Sequence, residues 1–148
     1  MRIVSMVVAL FALVACNSSS GSNSDPTTDL IIGRWTLETY NGGTLPFVGS
    51  LNTNGSVNRV ESGSITFDTG RTYLLDIKIV NTLGSTSQPQ DFNEVGSYSG
   101  TAATGVVLKP NDISGGTSGG QFAQVPVTIS SKKLSFAQQG KILTFVKP

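Results

Sequence analysis

The chain has 148 residues, with ten basic and nine acidic side chains, one cysteine and no histidine. Its near-neutral charge offers no basic face to nucleic acid, and the missing histidine removes the usual zinc, copper and iron ligands together with Ser-His and Cys-His nucleophile pairs. We therefore expect no metal, no cofactor, no catalytic residue and no nucleic-acid partner, although enzymes that use only carboxylates, lysines or tyrosines stay open.

The first fifteen residues have the pattern of a secretory signal. Arg2 precedes an almost unbroken apolar stretch that ends at Ala15, and this stretch is shorter than the roughly 20 apolar residues that span a bilayer. The Leu-Val-Ala-Cys sequence at 13–16 resembles the lipobox of bacterial lipoprotein precursors. The resemblance implies that residues 1–15 are a signal peptide and that the thiol of Cys16 is lipidated after the signal is removed. An ordinary signal peptide with an incidental cysteine is the alternative.

Lipidation would make Cys16 the contact with the membrane. Two or three acyl chains, at about 0.8 kcal/mol per buried methylene, hold a protein firmly on a bilayer. Without Arg2 the chain keeps nine basic and nine acidic residues, so charge does not contribute to this attachment. In a Gram-negative source, Asn17 after the cysteine implies delivery to the outer membrane. We therefore expect a lipid-anchored protein of the cell envelope. The sequence does not indicate whether the protein lies on the periplasmic face or on the surface face of the membrane.

Residues 16–29 are predicted to be the lipidated cysteine and a flexible tether. The stretch NSSSGSNSDPTTD has almost no apolar side chain, so it cannot offset the entropy of ordering. As a coil it would reach roughly 20 Å from its anchor on average. The folded domain is expected over 30–148, a length that suits a single domain with one hydrophobic core.

The rest of the chain alternates apolar and polar residues with the period of two that is typical of half-buried strands. In the first predicted strand, Gly33–Tyr40, Trp35 and Leu37 share one face. The segment 41–58 is long for a hairpin loop and predicts either a lid over one end of the domain or a loop pinned to the rim by Phe47. The other predicted strands are 59–68, 71–80, 94–101, 105–109, 122–130, 133–137 and 141–147.

Most links between these eight strands are short, and none has room for a crossover helix, so the strands must be antiparallel. Closing such a meander into a ring hides its edges. The predicted fold class is all-β, an eight-stranded antiparallel up-and-down barrel with no substantial helix in the mature domain. An open sheet or a sandwich is the alternative. Pro126 lacks a backbone donor, which predicts a bulge or an unpaired position there.

The inside of such a barrel can be filled by side chains or can hold one small ligand. Ser97 and Ser99 are expected to face inward and leave space, whereas the carboxylates are expected to face outward. The candidate pocket-lining residues are Leu37, Gly63, Ile65, Phe67, Tyr73, Leu75 and Ile77. A pocket that gathered Glu38, Asp76 and Glu94 would favour an enzyme.

Four stretches resemble, in order, the lipocalin-like domain of small bacterial lipoproteins: IIGRWTLETYNGGTLP, SGSITFDTGRTYLLDI, VGSYSGTAATGVVL and KLSFAQQGKILTFVKP. The resemblance covers residues 31–148, and its most specific part is the Gly-x-Trp formed by Gly33 and Trp35. It implies that the Trp35 ring plugs the closed end of the barrel with the cation of Lys147 across it. It also implies non-covalent binding of a small apolar molecule. The chain lacks the C-terminal helix and the Thr-Asp-Tyr motif of larger lipocalins.

Two functions stay open on the sequence. In the first, the lipid-anchored barrel binds a small hydrophobic molecule at the bacterial envelope. In the second, side chains fill the barrel, and the protein has a structural or protein-interaction role without a small ligand. An enzyme is not expected, and the sequence identifies no protein partner.

Overall fold

The computed structural model of the protein describes residues 30–101, 104–114 and 124–148. The predicted signal peptide, the lipidation site at Cys16 and the predicted tether lie outside these ranges. Within them, no helix has the length and apolarity needed to cross a bilayer.

The described residues form eleven strands. These are β1 Gly33–Tyr40, β2 Gly43–Thr44, β3 Phe47–Leu51, β4 Val57–Phe67, β5 Thr72–Leu83, β6 Thr86–Pro89, β7 Phe92–Thr101, β8 Gly105–Ser114, β9 Val125–Ser130, β10 Lys133–Gln138 and β11 Lys141–Val146. Strands β1, β4, β5 and β7 to β11 lie where the eight strands were predicted. Strands β2, β3 and β6 were not predicted: β2 and β3 lie in the 41–58 segment, and β6 lies between two of the predicted strands.

The eight predicted strands close into a ring. They pair antiparallel in the order β1, β11, β10, β9, β8, β7, β5, β4, and the pairing of β4 with β1 completes the barrel. Strands β2, β3 and β6 are added outside this ring, on β1, β4 and β5 respectively. The predicted fold class, an all-β, eight-stranded antiparallel up-and-down barrel, is therefore confirmed, and the open sheet and the sandwich are excluded.

The pairing of β1 with β4 is short. It runs from Gly33 opposite Phe67 to Thr36 opposite Ser64, and each strand shifts its register beyond that point. In the remaining half, β1 pairs with β2 and β4 pairs with β3. The boundary between β1 and β4, called here the seam, is therefore closed at one end of the barrel and covered by an added segment at the other.

Pro126 is paired on one side only. It faces Val107 of β8 in regular register, but the pairing of β9 with β10 ends at Val127. The missing backbone donor of the proline thus falls where the ladder toward β10 stops.

In β7, the alternate residues that face the barrel interior are the opposite set to the one expected. Glu94, Gly96 and Tyr98 are buried, whereas Ser97 is half-buried and Ser99 is exposed, so the expectation that the serines leave space inside is wrong. Gly96 explains why this face of β7 is turned inward, because a Cβ added there would lie 2.6 Å from Cε1 of Tyr73. Only glycine lets the Tyr73 ring pack against this backbone, and a shift of one residue would turn every side chain of β7 over.

Candidate functional site

Trp35 lies near the start of β1, at one end of the barrel. Its ring is almost fully buried, and Nε1 donates a 2.8 Å hydrogen bond to the carbonyl oxygen of Ile31. Lys147, one residue beyond β11, places Nζ 5.4 Å from the centroid of the Trp35 ring and donates 2.9 Å bonds to the carbonyl oxygens of Leu30 and Ile32. Side chains thus satisfy three successive carbonyls of a segment that has no strand partner.

Gly33 begins β1 directly after this segment. Its φ of 107° lies in a region that favours glycine, and a Cβ added there would lie 4.0 Å from Cε of Lys147. The three residues that the resemblance assigned to barrel closure, Gly33, Trp35 and Lys147, are therefore adjacent at the closed end.

The seven candidate pocket-lining residues all lie in the barrel interior, where they pack against one another. Leu37, Ile65, Phe67, Tyr73, Leu75 and Ile77 belong to the buried apolar core. Gly63 lies among them, because a Cβ added there would be 3.0 Å from Cδ2 of Leu37. Ile77 also borders a cavity at the opposite end of the barrel. These residues fill the closed half with side chains, and the cavity that Ile77 borders lies at the other end.

This cavity, called here the mouth cavity, has a volume of about 70 Å³. Its walls are mostly apolar or aromatic, and two glutamines of the β10–β11 turn region supply polar groups. Its lining consists of Tyr40, Ile77, Ile79, Phe92, Gln138, Gln139 and Leu143. A convergent apolar wall with a few polar groups is typical of small-molecule sites.

A buried carboxylate lies next to the mouth cavity. Glu94 is 1% exposed, and it accepts a 2.6 Å bond from the hydroxyl of Tyr73 and another of 2.6 Å from Nε2 of Gln138. We call these three residues the polar chain. No lysine or arginine within the described ranges forms an ion pair with Glu94. The expectation that the carboxylates face outward is therefore wrong for this residue.

The polar chain affects the titration of Tyr73. Burial raises the pKa of the Tyr73 hydroxyl far above its usual value, and the hydrogen bond and the charge of Glu94 raise it further. Tyr73 therefore remains a hydrogen-bond donor at physiological pH. The sequence signal for this cluster was weak, because its members lie on three strands, and only the alternation of β5 placed Tyr73 inside.

A larger groove of about 390 Å³ lies along the seam. We call it the seam groove; it is lined by Tyr40, Asn41, Phe47, Val48, Gly49, Asn58, Val60, Ile79 and Lys141. The rings of Tyr40 and Phe47 are in contact, with centroids 5.5 Å apart, so Phe47 ties the 41–58 segment to the rim. Tyr40 and Ile79 line both spaces and so form the wall between the groove and the mouth cavity.

The three carboxylates whose gathering would favour an enzyme are apart. Glu38 pairs with Lys133 at 2.8 Å, and Asp76 lies 3.3 Å from Nζ of Lys78 on the outside of β5. Glu94 is inside the barrel. Across the described part of the chain, no three side chains of the metal-ligating types lie close enough together to hold an ion.

The outer surface carries an apolar pair across β5 and β7. Leu74 of β5 faces Val95 of β7, and the two residues are 46% and 47% exposed. Adjacent exposed aliphatic side chains form a small patch that a protein partner could cover.

No protein-family model matches this chain, and no curated protein matches it. The class of protein is defined by its fold, an all-β, eight-stranded antiparallel barrel. Within that class, side chains pack one end of this barrel and a cavity lies at the other end.

Proposed function

We propose that this protein is a lipid-anchored lipoprotein of the bacterial envelope whose lipocalin-like barrel binds a small, mostly apolar molecule at its mouth. The observation that carries the proposal is the mouth cavity with its apolar wall, adjoining the seam groove across Tyr40 and Ile79. The ligand would lie at the rim and not deep in the lumen, because side chains fill the closed half.

The two volumes limit the shape of the ligand. A cavity of about 150 Å³ accommodates benzene, so the mouth cavity at about 70 Å³ suits an alkyl group of a few carbons. The seam groove falls within the roughly 300 to 1,000 Å³ typical of small-molecule sites and can accept the remainder of a longer molecule. Asn41, Asn58 and Lys141 give that groove polar contacts.

Native mass spectrometry of the full-length protein extracted from bacterial membranes tests the proposal. We expect a non-covalent adduct in the wild type that is lost in Ile79→Phe, because the larger ring fills the space on both sides of that wall. The matched control is Leu74→Phe, on the outer surface, which should keep the adduct. A wild-type protein without an adduct, or an adduct retained in Ile79→Phe, would contradict binding at the mouth.

The anchor is tested separately. We expect radiolabelled palmitate to be incorporated into the wild type and not into Cys16→Ser, with Ser18→Cys in the Cys16→Ser background as the control for thiol position. Label in Cys16→Ser would contradict the proposed lipidation.

The exposed pair Leu74 and Val95 favours a second candidate function. In it, the barrel acts through a protein contact at this patch and holds no small molecule. We expect Leu74→Ser with Val95→Ser to abolish crosslinking to an envelope protein in that case, and to have no effect on the adduct if the first proposal is right.

A further inference from the structure

We infer that the mouth cavity selects molecules that present a hydrogen-bond donor, an alcohol or an amine, over molecules that present a carboxylate. The inference rests on the proposed function, since it concerns what the mouth binds. It is carried by the polar chain of Tyr73, Glu94 and Gln138 beside the cavity.

The direction of the hydrogen bonds in the polar chain is fixed by Glu94. A carboxylate only accepts hydrogen bonds, so both of its neighbours must turn donors toward it. Tyr73 contributes its hydroxyl hydrogen and Gln138 contributes an amide N–H, each at 2.6 Å. In both bonds Glu94 is the acceptor, so the donors of Tyr73 and Gln138 point toward it.

This polarity determines what Gln138 offers to a ligand. Because its amide nitrogen faces Glu94, its carbonyl oxygen is the end of the amide that remains for the cavity that Gln138 lines. Among the described residues, no protein donor bonds to that oxygen. An acceptor with an apolar wall around it matches a molecule that carries an O–H or N–H group.

Charge acts in the same direction. Glu94 is 1% exposed and unpaired by any cation in the described ranges, and it faces the hydroxyl of Tyr73 and the amide of Gln138. A second carboxylate brought beside it would be repelled in a medium that screens poorly. The residues that line the mouth cavity include no lysine or arginine. Lys141 lines the seam groove instead and is exposed, so it does not neutralise the charge of Glu94.

Three probes of equal chain length separate the possibilities: 1-butanol, butylammonium and butyrate. Each is titrated into full-length protein in nanodiscs of uncharged lipid, with empty nanodiscs as the blank, and the methyl signals of Ile77 and Ile79 are followed by NMR. We expect butanol and butylammonium to shift both signals and to bind about ten-fold more tightly than butyrate, the ratio that one hydrogen bond supplies.

Two variants assign the preference to the polar chain. In Glu94→Gln, which keeps the size of the side chain and removes its charge, the preference over butyrate should fall to about two-fold or less. In Gln138→Leu, which removes the acceptor, butanol should bind about ten-fold more weakly than in the wild type. Gln88→Leu, at an exposed position of β6 outside both linings, is the matched control and should bind as the wild type does.

The outcomes distinguish the inference from the proposed function. Butyrate binding as tightly as butanol to the wild type, with shifts at Ile77 and Ile79, would overturn the donor preference and leave binding at the mouth intact. Methyl signals that no probe shifts would overturn both. If Glu94→Gln does not fold, the comparison of Gln138→Leu with Gln88→Leu decides the question.

Discussion

The ammonium of Lys147 and the indole of Trp35 hold the same three-residue segment from two sides. Lys147 donates to the carbonyls of Leu30 and Ile32, Trp35 donates to the carbonyl of Ile31, and Nζ lies 5.4 Å from the centre of the indole. The cation is therefore bound by two carbonyl dipoles and by the face of a ring.

Lys147→Met should lower the free energy of unfolding by about 1 to 2 kcal/mol, because it removes the cation from the ring and from two carbonyls while keeping the length of the side chain. Urea unfolding followed by the fluorescence of Trp35, the sole tryptophan, measures the change. Lys109→Met, at an exposed position, should stay within about 0.5 kcal/mol of the wild type. Equal effects of the two variants would argue against a special role for Lys147.

Trp35→Ala should cost about 3 to 5 kcal/mol, the range for truncating a large buried ring. The ring is 1% exposed and its removal also leaves the carbonyl of Ile31 without its donor. Circular dichroism during urea unfolding provides the measurement, since this variant lacks the fluorophore. A Trp35→Ala protein as stable as the exposed control Leu74→Ala would show that the ring does not close the barrel.

Tyr73→Phe should destabilise the barrel by about 1 to 3 kcal/mol, because the buried Glu94 carboxylate loses one of its two donors. Tyr40→Phe is the matched control, since no hydrogen bond of the Tyr40 hydroxyl is found in the described part of the chain. We expect Tyr40→Phe to change the free energy of unfolding by less than about 0.5 kcal/mol. The two variants can be compared by thermal and urea unfolding under the same conditions.

Stability should decline at alkaline pH. The folded pKa of Tyr73 is raised, chiefly by burial, whereas a tyrosine in an unfolded chain titrates near 10. The contribution of Tyr73 is therefore fully present below about pH 10 and is lost as the pH rises above it toward the folded pKa. Burial also raises the pKa of Tyr40 and Tyr98, which adds to the decline.

Urea unfolding from neutral pH to above about pH 10 measures this decline. Tyr73→Phe should reduce its slope relative to the wild type, because phenylalanine has no proton to lose. A slope unchanged by Tyr73→Phe would contradict the assignment to Tyr73.

The strands and the closure of the barrel could be predicted because they depend on local patterns. Alternation located eight strands, and short links without a helix left few ways to arrange them. In 94–101, however, the two faces are equally polar, so the pattern could not tell that Glu94 lies inside. That outcome depends on a contact between Gly96 and the Tyr73 ring, which belong to different strands.

The position of the cavity could not be predicted for a similar reason. Inward-facing residues were correctly placed on β4 and β5, but whether inward side chains leave space depends on how far apart the strands lie. Here β1 and β4 pair only as far as Thr36 and Ser64, and the added strands β2 and β3 take over beyond. A register shift in each strand, invisible in the alternation, sets where the pairing stops.

The place where the folded domain begins also has a mechanical consequence. If Cys16 is anchored, any pull on the anchor enters the barrel at Leu30, on the plugged end, and is resisted there by Lys147 and Trp35. The mouth cavity lies at the far end of the strands from this point. A force on the membrane attachment would thus act on the contacts of Lys147 and Trp35 before it distorts the proposed ligand site.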